Sequence, residues 1–203
     1  RMKWYMSDKG LPTCYFDGTE YLKGVPNLDD DSFEAKKRRM YESYREKVVE
    51  KSKEPSFVSI AARSRFDSKN RRGNITATAT ALDSIPYKDP RLYFALIESK
   101  IPYDAINGDT VHHFVLRDFI TQKNDNLTDY LGTPMKKESG EKFGLKGDVF
   151  ELSVSYDVLD IYNINNLSMV VFVQDNVTKR VLQTQVYPVK VINNRAFDLI
   201  SDG

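Results

Sequence analysis

The chain of 203 residues is constrained first by what it has little of. It holds one cysteine, Cys14, which excludes an intrachain disulfide and leaves any zinc site to two histidines and the carboxylates. Charge of one sign is also missing, because 30 basic and 29 acidic residues leave a formal net charge of +1. That balance offers no whole-chain attraction for nucleic acid or an anionic membrane, so no nucleic-acid partner is expected. No apolar run approaches the roughly 18–20 residues of a membrane helix, so no transmembrane segment is expected. Tryptophan is confined to Trp4, which leaves an aromatic sugar-binding strip to tyrosine and phenylalanine. No Gly-rich phosphate loop, nucleophile elbow or paired catalytic carboxylate stands out. We therefore assign no catalytic residue, no cofactor and no metal.

What is present can build a core. The chain is 40% hydrophobic and 12% aromatic, which argues against general disorder and allows one large domain or two modest ones. Trp4, Tyr5 and Met6 suit the end of a packed helix or an approach loop. Gly10-Leu11-Pro12-Thr13 then leads into a short strand, Thr13–Phe16, which Asp17-Gly18 turns back into Glu20–Lys23. An acidic run follows, with Asp31 and Glu34 at capping-box spacing. From there to about Lys53, the residues Phe33, Met40, Tyr41, Tyr44 and Val48 form one apolar stripe on a charged helix. Asp29, Asp30 and Asp31 lack the glycine and distal glutamate of a calcium loop, so they read as helix-start residues.

Glu54-Pro55 ends the helix, and the pattern changes to alternation. Val58–Arg63 and Ile75–Ala81 read as a hairpin with one polar face. Further strands are expected over Leu92–Glu98, Thr110–Thr121, Asp148–Tyr156, Leu167–Gln174 and Arg180–Val191, with Gln122–Gly147 as a long irregular connection. This predicts a mainly β fold with one long helix, the strands forming an antiparallel immunoglobulin-like β-sandwich. Arg63, Arg65, Lys69, Arg71 and Arg72 make a local basic run that reads as a solvated strand end and loop. His112 and His113 are adjacent on a predicted strand, as are Arg117 and Asp118, so each pair should point to opposite faces. Asn-x-Ser/Thr sites begin at Asn74, Asn126, Asn166 and Asn176 and would be modified only in a eukaryotic secretory pathway.

Several segments in order carry a resemblance. They are Gly10-Leu11-Pro12-Thr13 with Phe16-Asp17-Gly18, then Tyr93–Glu98 with Ile101-Pro102-Tyr103, then His112–Asp118, then Val171–Asp175 with Thr178–Gln183. Together they resemble a family of bacterial outer-membrane or exported proteins that join a thioredoxin-like domain to an immunoglobulin-like sandwich. The resemblance implies that residues 1–54 are the C-terminal half of a thioredoxin-like domain, residues 55–193 the sandwich, and residues 194–203 a tail. It also implies that Leu11, Pro12 and Thr13 form a cis-proline loop, and that the first half of the thioredoxin-like domain lies upstream of Arg1. Cys14 cannot stand in for an upstream Cys-x-x-Cys and reads as a buried small hydrophobe. The expected function is a non-catalytic structural or binding module of the bacterial cell envelope: periplasm, outer-membrane surface or secreted. Its expected partner is a protein or a cell-surface component, or a second copy through the incomplete lobe. Two alternatives stay open: the C-terminal part of a thiol–disulfide oxidoreductase, and glycan binding by the sandwich.

Overall fold

The computed structural model describes residues 13–24, 32–105, 108–120, 132–137, 139–189 and 191–192. Among the described residues the fold is mainly β with one α-helix. A small hairpin pairs β1 (Thr13–Phe16) with β2 (Glu20–Lys23) antiparallel. Its turn residues Asp17 and Gly18 both take positive φ, 47° and 74°, which is why an Asp-Gly pair occupies it. Leu11 and Pro12 of the expected cis-proline loop lie outside the described residues, as do Asp29, Asp30 and Asp31; Thr13 opens β1, opposite Lys23.

Helix α1 (Phe33–Lys51) starts at Ser32, whose hydroxyl accepts a hydrogen bond from the Ala35 N–H at 3.3 Å. The cap observed is therefore Ser32. The side of the helix that meets the hairpin is narrow: the Tyr44 ring stands edge-on to Phe16, and Lys47 and Lys51 both reach Glu20 at 3.0 and 2.5 Å. The expected apolar stripe is only partly covered. Tyr41 and Val48 are 65% and 57% exposed, because a two-stranded hairpin cannot span a full amphipathic face.

Most of the remaining strands form two facing sheets. The first runs in the order β10 (Val149–Asp157), β4 (Arg72–Ala81), β3 (Val58–Asp67), β13 (Val191–Ile192), with β13 parallel to β3 and the other pairs antiparallel. The second runs β12 (Val181–Pro188), β11 (Leu167–Asp175), β5 (Pro90–Glu98), β8 (Val115–Phe119), and β9 (Thr133–Pro134) also pairs with β5. Alternation in β4 turns Ile75, Ala77, Ala79 and Ala81 inward and sets Thr76, Thr78 and Thr80 on the outer face. The inward residues meet Leu92, Phe94, Leu96, Met169, Val171 and Val173 in one core. Each fully buried large side chain there contributes about 1.5–3 kcal/mol.

The expected strand over Thr110–Thr121 is interrupted. β7 (Val111–His112) pairs with β6 (Ile101–Pro102) in a separate ribbon, and Phe114, with φ of 56°, breaks the chain before β8. His112 is half-buried and His113 exposed, the split that their adjacency implied.

The hairpin is locked to the second sheet. The carbonyl of Asp17 accepts from the Val181 N–H at 2.8 Å, and a Cβ on Gly18 would overlap the carbonyl oxygen of Lys179. Arg180 also pairs with Glu54, just beyond α1.

Candidate functional site

The two sheets end on the same side in strands β8 and β10, which do not pair with each other. Between them lies an open cleft of about 640 Å³, lined by Leu96, Arg117, Asp118 and Phe119 from one sheet and Ser153–Asp157 from the other. Leu159 and Tyr162, from the loop after β10, close one end. Apolar and polar side chains both line it.

Arg117 of the cleft wall is held by Glu98, which lies outside the lining and is only 4% exposed at the end of β5. One carboxylate oxygen accepts from Arg117 Nε at 2.7 Å and the other from the Asn163 N–H at 2.9 Å. Arg117 reaches it through a bulge: Asp118 pairs with Leu96 and Leu116 with Ile97, so Arg117 is the extra residue. A bulge re-aims a side chain, and here the guanidinium also lies 4.7 Å from the centroid of the Tyr162 ring. Arg117 and Asp118 both line the cleft. Behind the wall, Tyr156 packs on Phe66 with ring centroids 6.2 Å apart, and burial pushes its phenol up. A Cβ at Gly73 would overlap the Tyr156 ring, so glycine is what admits it there.

The basic run dissolves into separate roles. Arg71 holds the loop that carries Tyr162, donating to the carbonyls of Val158, Leu159 and Tyr162 and pairing with Asp160. Arg72 pairs with Asp157 at 2.9 Å, and Arg63 and Arg65 are exposed on the outer face of β3.

A second polar cluster fixes the turn between β11 and β12. Asp175, fully buried, accepts from the Asp89 N–H at 2.8 Å and from the Thr178 N–H and hydroxyl, each at 2.7 Å. Burial pushes the Asp175 carboxyl up, but these hydrogen bonds outweigh it and hold the group below the usual carboxylate range. Asp89 behaves alike: burial raises it, and Arg91 and Asn176 pull it lower. This cluster holds the turn on which the Asp17-Gly18 tip rests. Cys14 is half-buried rather than buried, and burial pushes its thiol up.

Sequence reasoning missed Glu98, Tyr162, Asp89 and Asp175 as interacting groups. A signal existed for Glu98, since a carboxylate ending the apolar run Leu92–Ile97 needs a cationic or amide partner. Tyr162 carried none.

No family model matches the chain, and no curated protein matches it. Among solved structures, HBP35 of Porphyromonas gingivalis is similar, with a TM-score of 0.55 and 13% identity, covering 93% of this chain and 55% of that one. The chain thus spans about half of that protein's solved structure. A domain of the outer membrane lipoprotein Omp28 from the same organism gives a TM-score of 0.46 at 16% identity, over 69% of this chain and 93% of that one. At these identities the first likeness establishes a shared fold. No helix among the described residues is long and apolar enough to cross a membrane.

Proposed function

We propose that the chain is a non-catalytic binding module of an exported bacterial envelope protein, and that it takes a polypeptide partner at the open seam between β8 and β10. The observation that carries this reading is the seam itself: β8 and β10 end their sheets without pairing to each other, and a cleft of about 640 Å³ lies between them. An extended segment laid there gains main-chain hydrogen bonds from an edge and sets alternate side chains into the cleft. In this reading residues 1–54 are a thioredoxin-like remnant and residues 55–193 an immunoglobulin-like sandwich. The hairpin-then-helix order and the likeness to HBP35 over 93% of the chain support that division. The envelope location rests on the motif resemblance alone.

Selection of a phage-displayed random peptide library on the immobilised chain tests the reading. Enriched peptides should alternate apolar and polar residues and slow amide exchange in β8 or β10. Peptides that protect neither strand, or turnover of a substrate by the chain, would overturn it. A second reading, the C-terminal part of a thiol–disulfide oxidoreductase, draws on the hairpin–helix lobe. It requires a Cys-x-x-Cys upstream of residue 1, which the sequence of the parent gene decides.

A further inference from the structure

Edges of sheets are normally blunted by bulges, prolines or inward charges. The β8 edge carries the Arg117 bulge, and β12 has a register shift opposite Val173/Gln174 and ends in Pro188. β10 has none of these: it pairs with β4 through nine consecutive positions without a shift, and contains no proline, lysine or arginine. Among the described residues β10 pairs on one side only, and the backbone groups on its other side can be named. Ala81 N–H donates to the Asp148 carbonyl and Val158 N–H to the Arg71 carbonyl, both at 2.9 Å. Antiparallel bonding alternates, so Phe150, Leu152, Val154 and Tyr156 bond to β4, while Val149, Glu151, Ser153, Ser155 and Asp157 turn their N–H and C=O outward.

We propose that this edge is a self-association surface, on which β10 of a second copy pairs antiparallel about a two-fold axis at Ser153. This names the partner for the seam reading above and rests on it. The β10 edge is self-complementary in this register. With Ser153 facing Ser153, Glu151 faces the second copy's Ser155 and Val149 faces its Asp157, so no two carboxylates oppose each other on the outer face. On the inner face Phe150 meets the second copy's Tyr156, and Leu152 its Val154, the aromatic and aliphatic pairs that stabilise adjacent strands. All five outward-bonding residues then bond only to one another, as the ladder geometry requires. Moving the axis one position to Val154 would set Glu151 against Asp157 and weaken the pairing. Such an isologous contact joins two four-stranded sheets into one and brings the second copy's inner-face residues beside the cleft.

Sedimentation velocity across a concentration series tests it. The wild-type chain should dimerise. Ser153→Pro removes both central hydrogen bonds while sparing the ladder to β4, since the lost N–H faces outward. It should weaken association about thirtyfold. Ser153→Lys and Ser153→Glu place like charges opposite each other, so each alone should be monomeric, and an equimolar mixture should recover the dimer. That mixture keeps the test decisive should Ser153→Pro fold poorly. Association undiminished in Ser153→Pro, or a mixture no more associated than its components, overturns the proposal and moves any dimer elsewhere, such as the Tyr41 and Val48 face of α1. A wild-type chain that stays monomeric while selected peptides still protect β10 overturns the self-pairing and leaves the peptide-binding reading standing.

Discussion

Removing Arg117 isolates the buried carboxylate of Glu98, and the size of the effect follows from the geometry. Glu98 is 4% exposed, and its only described partners are Arg117 at 2.7 Å and the Asn163 N–H at 2.9 Å. Breaking a buried pair by deleting one partner costs about 3–5 kcal/mol. The Arg117 side chain is 25% exposed at the cleft, so water moderates the loss, and the lower end, about 3 kcal/mol, is expected for Arg117→Ala. The lost contact with Tyr162 adds about 0.5–1 kcal/mol. Replacing both partners, Glu98→Leu with Arg117→Leu, removes the isolated charge and orphans only the Asn163 N–H, worth about 1–3 kcal/mol. The double variant should therefore be more stable than Arg117→Ala although it has lost more polar groups. Urea unfolding of wild type, Glu98→Leu, Arg117→Leu and the double supplies the cycle, and the Arg117→Ala melting temperature should fall by about 6–12 °C. An Arg117→Ala loss below about 1 kcal/mol would show a solvent-screened rim pair, and the site as described would be wrong.

Three other outcomes follow from the rest of the molecule. Gly18→Ala incurs a positive-φ penalty and pushes the hairpin off the Lys179 carbonyl, breaking the Asp17–Val181 hydrogen bond. Together these should loosen the lobe by about 2–3 kcal/mol, read as faster amide exchange in β1 and β2 with the sandwich melt little changed. Asp175 and Asp89 have carboxyls held low in the folded state, so their stabilisation is fully present above the ordinary carboxylate value near pH 4 and is lost as pH falls below it through the lowered folded values. The urea midpoint should drop through that acid window in wild type and more shallowly in Asp175→Asn, which starts lower. Cys14, its thiol pushed up by burial, should react with a thiol-specific reagent more slowly in the native chain than in urea; equal rates would contradict its half-buried placement.

Strand β4 was legible because alternation of alanine or isoleucine with threonine admits one periodicity, and its two faces fell where the pattern put them. The helix was legible for the same reason. Its depth of burial was not: Tyr41 and Val48 share a helical repeat with Tyr44, and only the width of the opposing hairpin decides which is covered. The bulge at Arg117 left no local trace, since an extra residue in a ladder is defined by the partner strand. For the same reason the Thr110–Thr121 run reads as one strand, although Phe114 divides it. The seam depends on which strands end the two sheets, a property of long-range pairing order that no single stretch encodes. The Asp17-Gly18 signal was strong locally, yet its contact with Lys179 and Val181 joins residues far apart in sequence.

Residue-resolved amide exchange by NMR in dilute solution reports directly on the open edge at β10. The expected result has a period of two: Val149, Glu151, Ser153, Ser155 and Asp157 exchange rapidly, while Phe150, Leu152, Val154 and Tyr156, bonded to β4, are protected. Uniform protection along Val149–Asp157 in the dilute monomer would mean that the edge is already covered by the chain itself, and would contradict the open seam.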